Sequence, residues 1–302
     1  MTTAATTQST TAGRAAASAA VKVHKPKRDW ANTAFLVWGI AVYVFLFLPI
    51  AMIVAYSFNT GRALLAFSSF GFSSFSNAIT QTELTGPVKV SIISAIGAAI
   101  LATILGTLAG IALARRPGKW TIGFMALIAL VLVTPEIVDG ISLLLWFSKI
   151  SSSLSWLDLG YVRLWIGTSL FAVAVVTLIV RARMAGLDES LEEAAADLYA
   201  TPWNRFRQIT VPLVMPAVIS GLLLSFSLSL DNTIIAQFVY KPGYGPWPVY
   251  VWGSIRQVMR PEIAAMSTLL MVLTLVALVV TALVLRRSGE SSTAIATTMT
   301  GG

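Results

Sequence analysis

"LEEAAADLYATPWNRFRQITVPLVMP", Leu191 to Pro216, places Glu192, Glu193 and Asp197 beside Arg205 and Arg207 between two long apolar runs. Ser190 followed by Glu193 fits S-x-x-E, a capping box in which the serine oxygen accepts the N3 amide proton and the glutamate reaches back. That pattern predicts a short helix from about Leu191 to Leu198, with its acids at the positive end of the helix dipole. Thr201 and Pro202 then fit an N-cap and N1 pair, the start of a second short helix. Leu187, Leu191, Ala195 and Leu198 share roughly one face of the first piece, and Trp203, Phe206 and Ile209 one face of the second. Two pieces of about two turns each, joined by a tight turn, are too short to be stable alone. Resting on a membrane interface is one reading of their apolar stripes; docking in a partner's groove, with alanines permitting close approach and charges supplying polar contacts, is the other. Periodicity leaves both open.

The flanking sequence places this loop in a membrane protein. Of 302 residues 56% are hydrophobic and 11% charged, against about 25% charged in a soluble domain. Six nearly uncharged runs stand out: Ala31–Phe58, Val88–Ala114, Trp120–Phe147, Leu164–Val180, Leu213–Ala236 and Ile263–Leu285. Each is near or above the roughly 18 to 20 residues a helix needs to cross a bilayer core. "MVLTLVALVVTALVL", Met271 to Leu285, is apolar all round, whereas a soluble helix keeps a polar face.

The net charge of +8 reads as topology and not as nucleic-acid binding. If the N-terminus is cytoplasmic, fourteen of the 21 Lys and Arg fall in cytoplasmic segments, including Arg115, Arg116, Lys119, Arg205 and Arg207. That asymmetry predicts both termini on the cytoplasmic side. Residues 1–29 read as a disordered, basic cytoplasmic tail, with a transit peptide as the rival; 30–287 as the six-helix transmembrane domain; 288–302 as a second disordered tail. The chain lacks cysteine, and its single His24 has no partner with which to form a zinc site. Asn59–Pro87 reads as an outer loop whose Phe67, Phe70, Phe72 and Phe75 are suited to the headgroup region, and Trp252 as part of an aromatic belt. Trp247 and Tyr250 fit either that belt or a surface that receives an external partner.

Acids at membrane depth are costly and point to function. Glu136, Asp139 and Asp231 are the candidates, with Ser227 one turn before Asp231 on the same face. Pairing with a nearby arginine, or a place at the outer interface, is the structural alternative for Glu136. No P-loop pattern G-x-x-x-x-G-K-[ST] occurs, so no ATP site of that kind is expected here. An intramembrane hydrolase is disfavoured by the lack of a His pair, a Cys or G-x-S-x-G, and an ion-coupled transporter by the lack of an internal repeat.

The loop resembles the EAA loop of binding-protein-dependent ABC importer permeases. Glu193, Ala194 and Ala195 match its opening, Ile209, Val211 and Pro212 its I-x-L-P ending with Val for Leu, and Tyr199 stands where the family usually has Gly. "FLPIAMIVAYSFNTGR" (Phe47–Arg62), "TPEIVDGISLLLWF" (Thr134–Phe147), "MPAVISGLLLSFSLSLDNTIIAQFV" (Met215–Val239) and "RPEIAAMSTLL" (Arg260–Leu270) are similar to spermidine/putrescine ABC permease subunits, though a second Asp often follows the position of Asp231, where this chain has Asn232. The resemblance implies an all-α, six-helix, type I importer bundle of the MetI-like kind in the bacterial inner membrane, without catalysis of its own. It also implies a second permease subunit, two ATPase subunits that use ATP and Mg, and an extracytoplasmic solute-binding protein. A coupling loop at residues 187–211 would contact the ATPase through Glu193, Ala194, Ala195, Leu198, Tyr199, Trp203 and Phe206, and the solute would be a polyamine or another small solute.

Overall fold

The computed structural model describes residues 30–61, 66–116, 118–150, 154, 159–256 and 259–287. The expectations for the tails 1–29 and 288–302 lie outside them. The described residues are almost wholly helical: α1 (Trp30–Ser57), α2 (Ser73–Thr80), α3 (Thr82–Arg115), α4 (Lys119–Val133), α5 (Glu136–Ile150), α6 (Gly160–Ala185), α7 (Ser190–Asp197), α8 (Pro202–Arg205), α9 (Val211–Asp231), α10 (Ile234–Val239), α11 (Trp247–Ser254) and α12 (Pro261–Arg287). A single antiparallel bridge joins Asn59 to Phe70. Among the described residues five helices are long and apolar enough to cross a membrane, or six spans result if the bent pair α4 and α5 counts as one. The described residues fall into two compact units that divide between Met52 and Ile53. In the first, α1 is apolar on all sides, as a lipid-facing helix is.

In the second unit the centre is α3 against α6 and α9. The face of α3 that carries Ala95, Ala98, Ala102, Gly106 and Gly110 recurs about every four residues and is buried. Small residues at that spacing let helix backbones approach closely, which in lipid is the main source of helix association. A Cβ built on Gly106 would sit 2.7 Å from Val176 Cβ, and one on Gly110 2.8 Å from the Thr177 carbonyl oxygen and 2.9 Å from Val180 Cβ. Gly221 of α9 also abuts Val176, where an added Cβ would meet Cγ1 at 3.1 Å. Val176, Val180, Met184, Val214 and Ala217 close this core.

Two of the six expected spans are broken. Trp120–Phe147 is not one straight helix but α4 and α5, set at 106°. Thr134, which precedes Pro135, takes an extended conformation (φ −63, ψ 131) because the proline ring disfavours helical geometry in the preceding residue. Leu213–Ala236 stops at Asp231; Asn232 is extended, and its Oδ1 accepts the Ile235 N–H at 3.1 Å to start α10. The loop expected to run to Pro87 ends earlier, since α3 begins at Thr82 with Pro87 inside it.

The phenylalanine-rich loop is built on buried Asn59. Its Oδ1 accepts the N–H groups of Gly61 and Ser68, both at 3.0 Å, and Phe70, Phe72 and Phe75 gather around Phe58. Trp247 is buried, donates its backbone N–H to Ser91 Oγ at 2.7 Å and stacks on Tyr250, whereas Trp252 is exposed. Trp247 is therefore core and not belt.

Replacing Gly110 with valine is expected to destabilise the protein by roughly 1–3 kcal/mol or more, read as a lower midpoint of thermal unfolding in detergent. Gly123→Val, at a site where an added Cβ meets nothing within 4 Å, should leave that midpoint close to wild type.

Candidate functional site

Two regions gather the polar residues expected to carry function. The first is the charged loop between α6 and α9. Its helix α7 starts without the capping box: Glu189 occupies the N-cap in helical conformation and no side chain caps it. Asp188 Oδ1 instead accepts the Ser190 N–H at 2.9 Å. Hydrogen bonds from the Ser190 backbone and side chain hold the Asp188 carboxyl below the usual carboxylate range. Glu193, freed from a capping role, is exposed, as is Ala194.

The end of α7 accounts for the Tyr199 anomaly. The Ala200 N–H donates to the Ala195 carbonyl at 3.0 Å and the Tyr199 N–H to the Ala196 carbonyl at 2.9 Å. That pair of bonds is a Schellman motif, which requires a left-handed residue just past the helix. Tyr199 supplies it, with φ 60, the one non-glycine residue at positive φ among those described. A side chain there costs on the order of 1 kcal/mol relative to glycine. The ring is 96% exposed, so packing does not offset that cost within this chain.

Thr201 Oγ1 accepts the Asn204 N–H at 3.3 Å, with Pro202 at N1, as the sequence predicts. The second piece is not a separate helix, however. Pro202–Arg205 runs through a π turn, Phe206–Thr210, straight into α9. Nothing between Arg205 and Val211 breaks a helix, and Pro212, which has no N–H to donate, follows the widened turn. Trp203 and Phe206 stack with centroids 5.7 Å apart, and Leu198 and Trp203 are largely exposed.

Arg115, at the end of α3, forks onto two carboxylates of this loop: Nη1 to Glu189 Oε1 at 2.9 Å and Nη2 to Glu192 Oε1 at 2.8 Å. Thr210 Oγ1 donates to the same Glu192 oxygen at 2.8 Å. Ile111, Arg115, Glu192, Pro202, Arg205, Phe206 and Thr210 line a groove of about 250 Å³. The sequence reading singled out none of the contacts of Arg115, Glu192 and Thr210. Arg115 lies 77 residues from Glu192, and no local pattern connects them.

The second region is a cavity of about 370 Å³ where the two broken spans meet. The first turn of α5 gives Glu136 and the last turn of α9 gives Ser227, Leu228 and Asp231. Thr168, Phe171 and Ala172 of α6, with Asn232, Thr233 and Ile234 after the α9 break, complete the lining. Glu136, Ser227 and Asp231 thus line one cavity. Asp139, one turn further along α5, is not in the lining. Thr168, Asn232 and Thr233 are additions; Asn232 and Thr233 follow the helix break at Asp231, whereas Thr168 comes from α6 and no local pattern marks it. The lining holds two carboxylates, hydroxyls and an amide with no Lys or Arg, a set suited to a cationic, hydrogen-bonding solute.

Apolar spans packed on small residues, a polar cavity at helix breaks and one braced charged loop make up a membrane permease. The chain matches the family of binding-protein-dependent transport system inner membrane components over residues 102–289 and belongs to it. It is an inner-membrane permease of an ABC importer. It is 37% identical over 241 residues to the putrescine transport system permease protein PotI of Escherichia coli K12, covering 78% of this chain and 85% of that one. To the spermidine/putrescine transport system permease protein PotC of the same strain it is 31% identical over 253 residues, covering 84% and 94%. A bacterial ABC transporter involved in import of the acidic polysaccharide alginate shares the fold with TM-score 0.69 at 17% identity, covering 87% of this chain and 97% of that one. The MetNI methionine ABC transporter in inward-facing form gives TM-score 0.53 at 14% identity, covering 69% and 99%.

Tyr199→Gly is expected to raise stability by up to about 1 kcal/mol, and Tyr199→Val to lower it, since a β-branched residue is a worse fit to positive φ. Thermal unfolding of the two variants in detergent checks both signs.

Proposed function

We propose that this permease carries polyamines, with putrescine and spermidine as first candidates, and that it works as one of two permease subunits beside two ATPase subunits and an extracytoplasmic solute-binding protein. The observation that carries the substrate reading is the cavity between α5, α6 and α9, with Glu136 and Asp231 on a lining free of Lys and Arg. A diammonium or longer polycation there exchanges water for carboxylates and hydroxyls, and the low dielectric around it strengthens each charge contact. The names of the relatives that transport putrescine and spermidine support the same solute class.

In this reading the chain hydrolyses no ATP itself. Residues 187–211 face the cytoplasm with both termini, and the contacts of Arg115 with Glu189 and Glu192 support placing the α3–α4 turn on the same side as the loop. Glu193 is the polar contact to the ATPase, while Ala194, Ala195, Leu198, Tyr199, Trp203 and Phe206 offer the packing surface. The exposure of the larger apolar side chains supports the role: Leu198 is 81% and Trp203 66% accessible, apolar area that gains from being covered. ATP-driven closure of the partner then moves the loop and with it the bundle around the cavity.

Asp231→Asn removes one charge and nearly no volume. Uptake of radiolabelled putrescine by cells carrying the full transporter should fall roughly tenfold, the effect of about 1.4 kcal/mol, with co-purification of the ATPase unchanged. Normal uptake by this variant would sink the pathway assignment. Glu193→Lys should instead weaken ATPase co-purification roughly tenfold or more, the loss expected for one charge-assisted contact, while the permease still reaches the membrane.

A further inference from the structure

The residues assigned to ATPase contact all sit on or beside α7, yet that helix has little of its own to hold it still. It has eight residues, and none is buried. A helix of that length is marginal in isolation, and its exit turn carries the left-handed Tyr199. Its position must come from elsewhere.

The structure assigns that task to Glu192: we propose that Arg115, Glu192 and Thr210 form a brace that fixes the coupling helix to the ends of two membrane rods, and that Glu192 is a positioning residue of energy coupling. This rests on the coupling role proposed above and adds to it residues distinct from the docking set. Arg115 is the last residue of α3, the helix whose small-residue face is buried against α6 and α9. Thr210 closes the π turn that leads without a break into α9, and α9 ends at Asp231 in the cavity. One carboxylate oxygen of Glu192 therefore receives both a guanidinium N–H from the α3 end and a hydroxyl from the α9 base, each at 2.8 Å.

Exposure decides which arm of the fork matters. The Glu189 side chain is 70% accessible, so its pair with Arg115 is screened by water and salt, whereas Glu192 is 26% and Arg115 18% accessible. The π turn is part of the device. It inserts one residue, and an uninterrupted α-helix would turn the Thr210 side chain about 100° around the axis, away from its present bond to Glu192. Thr210 itself is 5% exposed. Neighbouring Glu193, exposed and outside this network, is left for the partner.

The chain has no cysteine, so two introduced thiols can be spin-labelled without background. Labels at Ala112→Cys on α3 and Asp197→Cys on α7, both at exposed positions, report the tie between the two helices in the intact transporter in lipid nanodiscs. The expected result is one narrow distance distribution in the parent, a broad one in Glu192→Gln and Thr210→Val, and a narrow one in Thr210→Ser, which keeps the hydroxyl. In unlabelled complexes, putrescine taken up per ATP hydrolysed should fall at least threefold in Glu192→Gln and Thr210→Val and return with Thr210→Ser, while ATPase co-purification stays at the parent level. A narrow distribution in Glu192→Gln, or a broad one with unchanged uptake per ATP, overturns the proposal. Loss of ATPase co-purification in Glu192→Gln also overturns it, because Glu192 would then belong to the docking surface. A parent complex that hydrolyses ATP but takes up no putrescine refutes the substrate reading instead, and the label distances still decide whether the brace exists.

Discussion

A peptide group in hydrocarbon has no water to bond, so an uncompensated break in a spanning helix costs several kcal/mol and occurs only where protein or a wet cavity surrounds it. This chain breaks two of its apolar runs, at Thr134–Pro135 and at Asp231–Asn232. The second break and the first turn after the first lie on one cavity. Irregular backbone and ionisable side chains are thus concentrated in one place, around a single polar cavity. Everything else in the second unit keeps that place in position: α3, α6 and α9 approach closely through glycine and alanine, which fixes the cavity walls on either side of Thr168 and Asp231.

The charged loop answers a different constraint, since it lies outside the apolar spans and water competes for each of its contacts. Its order comes from local caps and from one set of ion pairs. Asp188 starts α7, a Schellman turn ends it, and Thr201 starts the next rod. The caps define its shape, while the Arg115 fork, the Thr210 bond to Glu192 and the packing of Leu187 on the Val176–Met184 core tie that shape to the spans.

Much of this was legible in the sequence because it is local. Long apolar runs announce helices, Thr201–Pro202 announces a helix start, and Tyr199 at the family's glycine position marked the one strained turn. The acids Glu136 and Asp231 were conspicuous because a membrane segment seldom carries them. What stayed hidden depends on contacts distant in the chain or on competition between local options. Ser190 and Glu193 spell a capping box, but Asp188 reaches the Ser190 amide first. Asp139 shares a helical face with Glu136 and still falls outside the cavity lining, because that wall is completed by α6 and α9, whose placement no spacing within α5 encodes. The ties of Arg115 to Glu192 and Glu192 to Thr210 require the tertiary fold.

The unbroken run from Pro202 to Asp231 has a mechanical consequence. Thirty residues make a rod about 45 Å long at 1.5 Å per residue, with the loop at one end and a cavity carboxylate at the other. A tilt of about 5° around the Pro202 end carries the Asp231 end sideways by roughly 4 Å, close to the thickness of an alkyl chain. Because displacement grows with distance from the pivot, the same tilt moves the middle of the rod by about 2 Å, and the cavity end moves by the width of an extended aliphatic amine.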